Sequence, residues 1–294
     1  MRTRPAAVSA GTPARVMIFH GAPAASQQAI VAYGGQTNPQ LFERALALHA
    51  PDLDLVVVDV ADGEGLPAGM AIEDLDGVVI TGSPLNVYDG SPAVTRQIEL
   101  ARELYERRVP VYGSCWGLQV MAQALGGVVG LNPNGREIGV ARNIAPTDPG
   151  RDHFLFEGKA AAFDALCTHV DDVQAVPPQA VVLACNGHSA VQALALEQDG
   201  RSFLGVQYHP EYTLATIAAL LELRMDRLVD EGLAGGRSEL TALVADLRAL
   251  DADPSRRDVA WRLGLDRHVL DPVTRTAEIG NWLRARVMPR RAAR

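Results

Sequence analysis

The stretch 109-VPVYGSCWGLQVMAQALGG-127 decides how this chain is read. Val109 to Tyr112 is a short apolar run of the kind buried in a parallel sheet, and the residues behind Gly117 (LQVMAQAL) have the composition of a buried helix. Between them, Gly113-Ser114-Cys115-Trp116-Gly117 is a glycine-x-nucleophile-x-glycine elbow with cysteine in the nucleophile's place. A nucleophile on a sharp strand-to-helix turn stands out at the sheet edge, and the flanking glycines keep side chains from crowding that turn. The helix behind it supplies a partial positive charge and free N–H groups, which favour a thiolate and can hold an oxyanion. The Trp116 N–H is the natural first donor. Taken alone, the motif competes with an inert buried cysteine.

Upstream of the elbow the chain alternates strand and helix. Arg15 to Phe19, Leu53 to Val60 and Gly77 to Thr81 are apolar runs with the pattern of strands covered on both faces. Asn38-Pro39 reads as an N-cap followed by proline at the first helical position, with a helix to about His49. Ser91-Pro92 repeats that signal for a helix to Arg108. This alternation predicts an α/β fold built on a doubly wound, mostly parallel sheet, with its site at the carboxyl ends of the strands. Between His20 and Asn38 the sequence reads as a long loop.

Downstream of Gly126 the apolar runs shorten (Ala180 to Ala184, Ser189 to Leu196, Phe203 to Gln207) and predict a β-rich completion of the same domain. A helix is expected from Thr213 to about Glu231, where Gly232 and Gly235-Gly236 mark a stop and a hinge. Residues 238–294 read as a separate all-helical extension. Its first helix carries the stripe Leu240, Leu243, Val244, Leu247 and Leu250, which something has to cover. The expected division is a disordered segment 1–14, a catalytic domain 15–231 and the helical extension 238–294.

The bulk properties exclude several functions. With 27 Lys and Arg against 35 Asp and Glu, the net charge is -8, and the only basic cluster lies in the last eleven residues. A nucleic-acid partner is not expected. No run approaches the roughly 18 apolar residues of a membrane span, and the N-terminus lacks an apolar signal core. Cys115, Cys167 and Cys185 are an odd number without a C-x-x-C pair, which points to a reducing cytoplasm and to no metal or cofactor site.

Two further segments belong with the elbow. In Phe203 to Glu211 (FLGVQYHPE), His209 and Glu211 stand two apart on an extended chain, so both side chains face one neighbour. His209 can then exchange protons while Glu211 fixes its tautomer. Thr81-Gly82-Ser83-Pro84 follows a strand, and its backbone N–H groups can supply a second oxyanion donor.

These three motifs, TGSP, GSCWGLQ and GVQYHPE, stand in the order found in class I glutamine amidotransferases, and residues 15–230 resemble that family. The likeness is greatest to the amidotransferase half of GMP synthases, and it extends through Gly135 to Gly139 (GREIG) and through Thr168-His169-Val170-Asp171. The resemblance implies a flavodoxin-like sheet and a glutaminase. Cys115 attacks the glutamine side-chain amide, His209 and Glu211 serve it, Gly82, Ser83 and Trp116 form the oxyanion hole, and Gln119, His169, Val170 and Asp171 hold glutamine. Ser83 stands where the family carries a second glycine.

No nucleotide-binding synthetase sequence follows, and no G-x-x-x-x-G-K loop is present. The leading expectation is therefore a glutaminase that supplies ammonia to a separate ATP-dependent synthetase, with the C-terminal helices as a docking or self-association surface. The runner-up is a stand-alone hydrolase of larger γ-glutamyl compounds. A non-catalytic interaction module is the third reading.

Overall fold

In the computed structural model, residues 12–233 and 235–294 are described. The apolar runs become β1 (Arg15–Phe19), β2 (Asp54–Val58), β3 (Gly77–Ile80) and β4 (Val111–Ser114). The shorter downstream runs give β5 (Val128–Leu131), β6 (Glu137–Pro146), β7 (Phe163–His169), β8 (Asp171–Ala175), β9 (Val181–Cys185), β10 (Ala193–Gln198) and β11 (Arg201–Val206). Nine of these make one sheet in the order β2-β1-β3-β4-β11-β10-β9-β6-β7, while β5 and β8 pair separately. Neighbours from β2 to β11 run parallel, and those from β11 to β7 are antiparallel. The β3, β4 and β11 registers bring Ile80 level with Gly113, and Ser114 level with Val206. Gly82, Cys115 and His209 therefore leave the carboxyl ends of three adjacent strands.

Helices cover both faces. Those of the first half are α1 (Ala24–Ala32), α2 (Asn38–His49), α3 (Pro92–Glu106), α4 (Trp116–Ala124) and the short α5 (Asp148–Arg151). The second half adds α6 (Leu214–Leu223), α7 (Met225–Asp230), α8 (Arg237–Ala252), α9 (Arg257–Leu263), α10 (Arg267–Leu270), α11 (Pro272–Arg275), α12 (Ala277–Trp282) and α13 (Met288–Ala292). One core lies between the sheet and α3 and α4, a second between the sheet and α2 and α12.

Several expectations need correction. The cap of α2 is Thr37, not Asn38: the Thr37 hydroxyl accepts from the Gln40 N–H, and the Gln40 side-chain Oε1 accepts from the Thr37 N–H at 3.1 Å. This reciprocal Thr-x-x-Gln box satisfies two helix-end donors at once. It also frees the Asn38 side chain for another partner. The long loop after His20 contains α1, and the helix expected to Glu231 breaks at Arg224 into α6 and α7. Of the segment expected to be disordered, residues 1–11 lie outside the described residues. Ala14 is buried, and its carbonyl accepts from the Asp54 N–H at 2.9 Å.

The C-terminal helices are not a separate lobe. Leu240, Val244, Leu247 and Leu250 are buried in a third core against α6, so the stripe is covered within the chain. Ile279, Trp282, Leu283 and Val287 enter the same core as Val16, Ile18 and Phe42 of the sheet layer. Gly280 lies so close to His49 that a Cβ there would meet the ring at 2.4 Å. Glu278 is fully buried, pairs with Lys159 at 3.1 Å and accepts from the Tyr208 hydroxyl at 2.7 Å. Tyr208 immediately precedes His209, which ties the tail to the site.

Candidate active site

Cys115 sits between β4 and α4 at φ 52° and ψ -101°, a left-handed backbone that a non-glycine residue adopts only when its surroundings hold it there. Its N–H donates to Val206 O at 2.8 Å. The flanking glycines answer to close approach: a Cβ on Gly113 would lie 2.4 Å from the Gly117 carbonyl carbon, and one on Gly117 would lie 2.4 Å from Ile80 O. The elbow thus packs helix backbone directly on strand backbone.

His209 and Glu211 are buried, with His209 Nδ1 2.7 Å from Glu211 Oε1. The Ser114 hydroxyl donates to that same oxygen at 2.9 Å. Tyr212 stacks on the imidazole, with ring centroids 3.8 Å apart and planes 11° apart. Gly82 closes on the ring edge, since a Cβ there would meet His209 Cε1 at 2.7 Å. Burial works against the imidazolium, yet the Glu211 carboxylate and the Cys115 sulfur outweigh it and raise His209 to about 9. An imidazolium held beside a cysteine sulfur is the pairing that makes a thiolate nucleophile available near neutral pH.

Two cavities meet at Cys115, with Ser83, Pro84, Thr168 and Arg224 on their shared rim. One, of about 360 Å³, is polar and is walled by Tyr88, Gln119, Arg136, His169, Asp171 and Arg227. The other, of about 270 Å³, lies beside His209 and is walled mainly by Ala29 and Ile30 of α1, Tyr212, and Leu220 and Leu223 of α6. The first offers cations and acceptors to a charged group. The second offers hydrocarbon.

A sequence model of class I glutamine amidotransferases matches residues 35–225. The chain belongs to the class I glutamine amidotransferase family. It is 28% identical over 280 residues to a γ-glutamyl-L-1-hydroxyisopropylamide hydrolase from a Pseudomonas species, a match spanning 94% of each chain. It is also 35% identical over 159 residues to the glutamine-hydrolysing GMP synthase of Streptomyces coelicolor, but this covers 52% of the chain and only 28% of the synthase. Among solved structures, a glutamine amidotransferase from Thermotoga maritima matches with a TM-score of 0.62 at 17% identity, over 93% of this chain and 98% of that one. A second from Methylobacillus flagellatus matches with a TM-score of 0.58 at 23% identity, over 97% and 95%. The fold, including the C-terminal helices, is thus that of whole amidotransferase chains.

Within this family fold, the residues expected from sequence come together. Gln119 donates to Asp171 O at 3.0 Å and to Gln207 Oε1 at 3.2 Å, and it lines the polar cavity with His169, Val170 and Asp171. His169 is clamped by Glu137 at 2.9 Å and Asp171 O at 3.1 Å, so its ring nitrogens are occupied. Tyr88 donates to Asp171 at 3.0 Å and is pushed up to about 12 by burial and by that carboxylate. The N–H groups of Gly82, Ser83 and Trp116 have no hydrogen-bond acceptor among the described residues.

Other residues escaped the sequence reading. Asn38 donates to Gly82 O at 2.8 Å, and Gln27 accepts from the Asn38 N–H at 2.7 Å, which orients the Gly82 peptide. Arg224, whose guanidinium is pulled down by burial, donates to the Thr168 hydroxyl at 2.6 Å. Gln27 and Arg224 lie in no motif, and Asn38 reads only as a helix start. Only Ser114 and Tyr212 had a signal, as chain neighbours of Cys115 and Glu211.

Proposed function

We propose that this amidotransferase is a free-standing hydrolase of γ-glutamyl amides whose amine carries a small apolar substituent. The observation that carries the proposal is the pair of unlike cavities meeting at Cys115. The polar cavity suits the α-carboxylate and α-amino group of a γ-glutamyl unit, with Arg136 and Arg227 facing the former and Asp171 the latter. The apolar cavity suits the departing amine, beside the histidine that has to protonate it. The hydrolase relative matching along the whole chain, tail included, supports the same reading.

In this mechanism the Cys115 thiolate attacks the amide carbonyl, and the developing oxyanion takes the N–H groups of Trp116 and the Gly82-Ser83 turn. His209 Nε2 protonates the leaving nitrogen and the C–N bond breaks, leaving a γ-glutamyl thioester. Water then gives a proton to His209 and attacks the thioester, releasing glutamate and restoring the thiolate. Glu211 and Ser114 keep the imidazole in one tautomer throughout, and Tyr212 keeps its plane.

The partial match to GMP synthases favours a second reading, a glutaminase feeding a separate ATP-dependent synthetase. Specificity constants for γ-glutamyl isopropylamide and for glutamine separate the two. The proposal expects the alkylamide to be preferred by at least about tenfold, the worth of a few methylenes in an apolar pocket. Turnover of glutamine with none of the alkylamide would overturn it. Stoichiometric labelling of Cys115 by a glutamine-like diazo or chloroketone reagent tests the nucleophile in either case.

A further inference from the structure

Three arginines border the cavities that meet at Cys115, and they are not equally engaged. Arg136 and Arg227 each bond to the Glu231 carboxylate at 2.7 Å. Arg224 pairs with no carboxylate among the described residues. Its Nη1 donates to the Thr168 hydroxyl at 2.6 Å, while Nε and Nη2 make no hydrogen bond there, and neither of these two is sealed from solvent. They form one edge of the guanidinium, the fork that grips both oxygens of a carboxylate. Thr168 anchors this fork beside the nucleophile, since the Thr168 carbonyl lies 3.6 Å from Cys115 Sγ.

A guanidinium stays charged at every working pH, and a half-buried one without an anion is costly. Burial pulls Arg224 down, and Arg136 and Arg227 add repulsion. The site is short of one negative charge.

The apolar cavity shows where that charge belongs. The polar cavity has Arg136 and Arg227 to spare for the α-carboxylate of a γ-glutamyl unit. On the wall of the apolar cavity, Arg224 is the one cation besides His209 among the described residues. Other polar side chains of that wall hold partners: Ser26 bonds to Pro23 O, Asn38 to Gly82 O, Gln27 to the Asn38 N–H and Ser83 to the Leu85 N–H. The place of the departing amine is thus bordered by an imidazole, by hydrocarbon from α1 and α6, and by an unspent guanidinium fork. A carbon bearing an amino group, a short alkyl chain and a carboxylate complements all three.

We propose that the leaving amine is a small aliphatic α-amino acid, so that the substrate is a γ-glutamyl dipeptide, with Arg224 as the residue that reads its carboxylate. This rests on the γ-glutamyl amide reading given above and narrows it. The chemistry is unchanged: the amide C–N bond breaks, one water is consumed, and glutamate and the amino acid are released.

γ-Glutamyl-L-alanine and γ-glutamyl isopropylamide differ only by a carboxylate in place of one methyl group, so their specificity constants on the full chain isolate that group. The native enzyme should prefer the alanine compound by at least about tenfold, the lower end for a hydrogen bond between charged groups. Arg224→Met should erase the preference, lowering the alanine compound by about tenfold or more and leaving the isopropylamide within about threefold. Arg224→Lys, which keeps the charge and loses the fork, should fall between the two.

An equal loss on both substrates in Arg224→Met would assign Arg224 to the γ-glutamyl unit and overturn the proposal. The native comparison needs no variant: turnover of the isopropylamide without preference for the alanine compound rejects this inference alone and leaves the γ-glutamyl amide reading standing. Turnover of glutamine with neither of the two compounds rejects both.

Discussion

Replacing Gly82 by alanine would set a methyl carbon 2.7 Å from His209 Cε1. Gly82 is not in the left-handed region, so the backbone tolerates the change and the entire effect falls on the imidazole. Restoring ordinary contact requires the ring to retreat by about 0.7 Å. The push runs close to the ring plane at the Cε1 edge, and the neighbouring Nδ1 is held by Glu211 at 2.7 Å, so the ring cannot simply slide away. The ring therefore pivots, and Nε2 loses its aim at the leaving nitrogen. A misplacement approaching 1 Å costs on the order of 100-fold in rate, and overpacking costs about 1–3 kcal/mol in stability. The assay is the specificity constant for a γ-glutamyl amide alongside a thermal melt. Ser83→Gly, which adds no atom near the ring, serves as the control and should stay within about threefold. A folded Gly82→Ala enzyme with at least half the normal specificity constant would refute the idea that Glu211 holds His209 against the Gly82 edge contact.

Glu211→Gln removes the largest influence that raises His209, leaving burial to depress it. In the native enzyme the imidazolium is present below about 9 and is lost as the pH rises through that value, so turnover should fall on the alkaline side. In the variant that limb should move to lower pH, as a pH profile of the specificity constant would record. Ala29→Leu extends a wall of the apolar cavity. It should reduce the specificity constant for γ-glutamyl isopropylamide by about tenfold and leave that for glutamine within about twofold, as competition assays would show. Trp282→Ala empties a fully buried position packed against Tyr112. A cost of about 3–5 kcal/mol is expected, measurable as a denaturation midpoint shift, and deletion of residues 277–294 should destabilise the entire chain.

The sequence by itself determined the elements that the proposed chemistry uses. The elbow around Cys115, the pairing of His209 with Glu211 and the apolar runs of β1, β3 and β4 follow from local rules. Such rules include strand periodicity, glycine beside a strained nucleophile and the two-residue repeat of an extended segment. The order of the motifs also announced the family.

Tertiary structure decided the matters that depend on contacts distant along the chain. Asn38 reaches Gly82 across 44 residues, and it can do so only because Thr37 caps α2 in its place. The hydrocarbon wall of the apolar cavity comes from α1 and α6, which have no sequence motif and meet only when folded. The tail read as a separate unit because a helical stripe is the same whether it faces a partner or its own chain. Packing on α6 and the burial of Glu278 beneath Tyr208 resolve that choice, since a buried carboxylate is tolerable only where Lys159 and a hydroxyl await it.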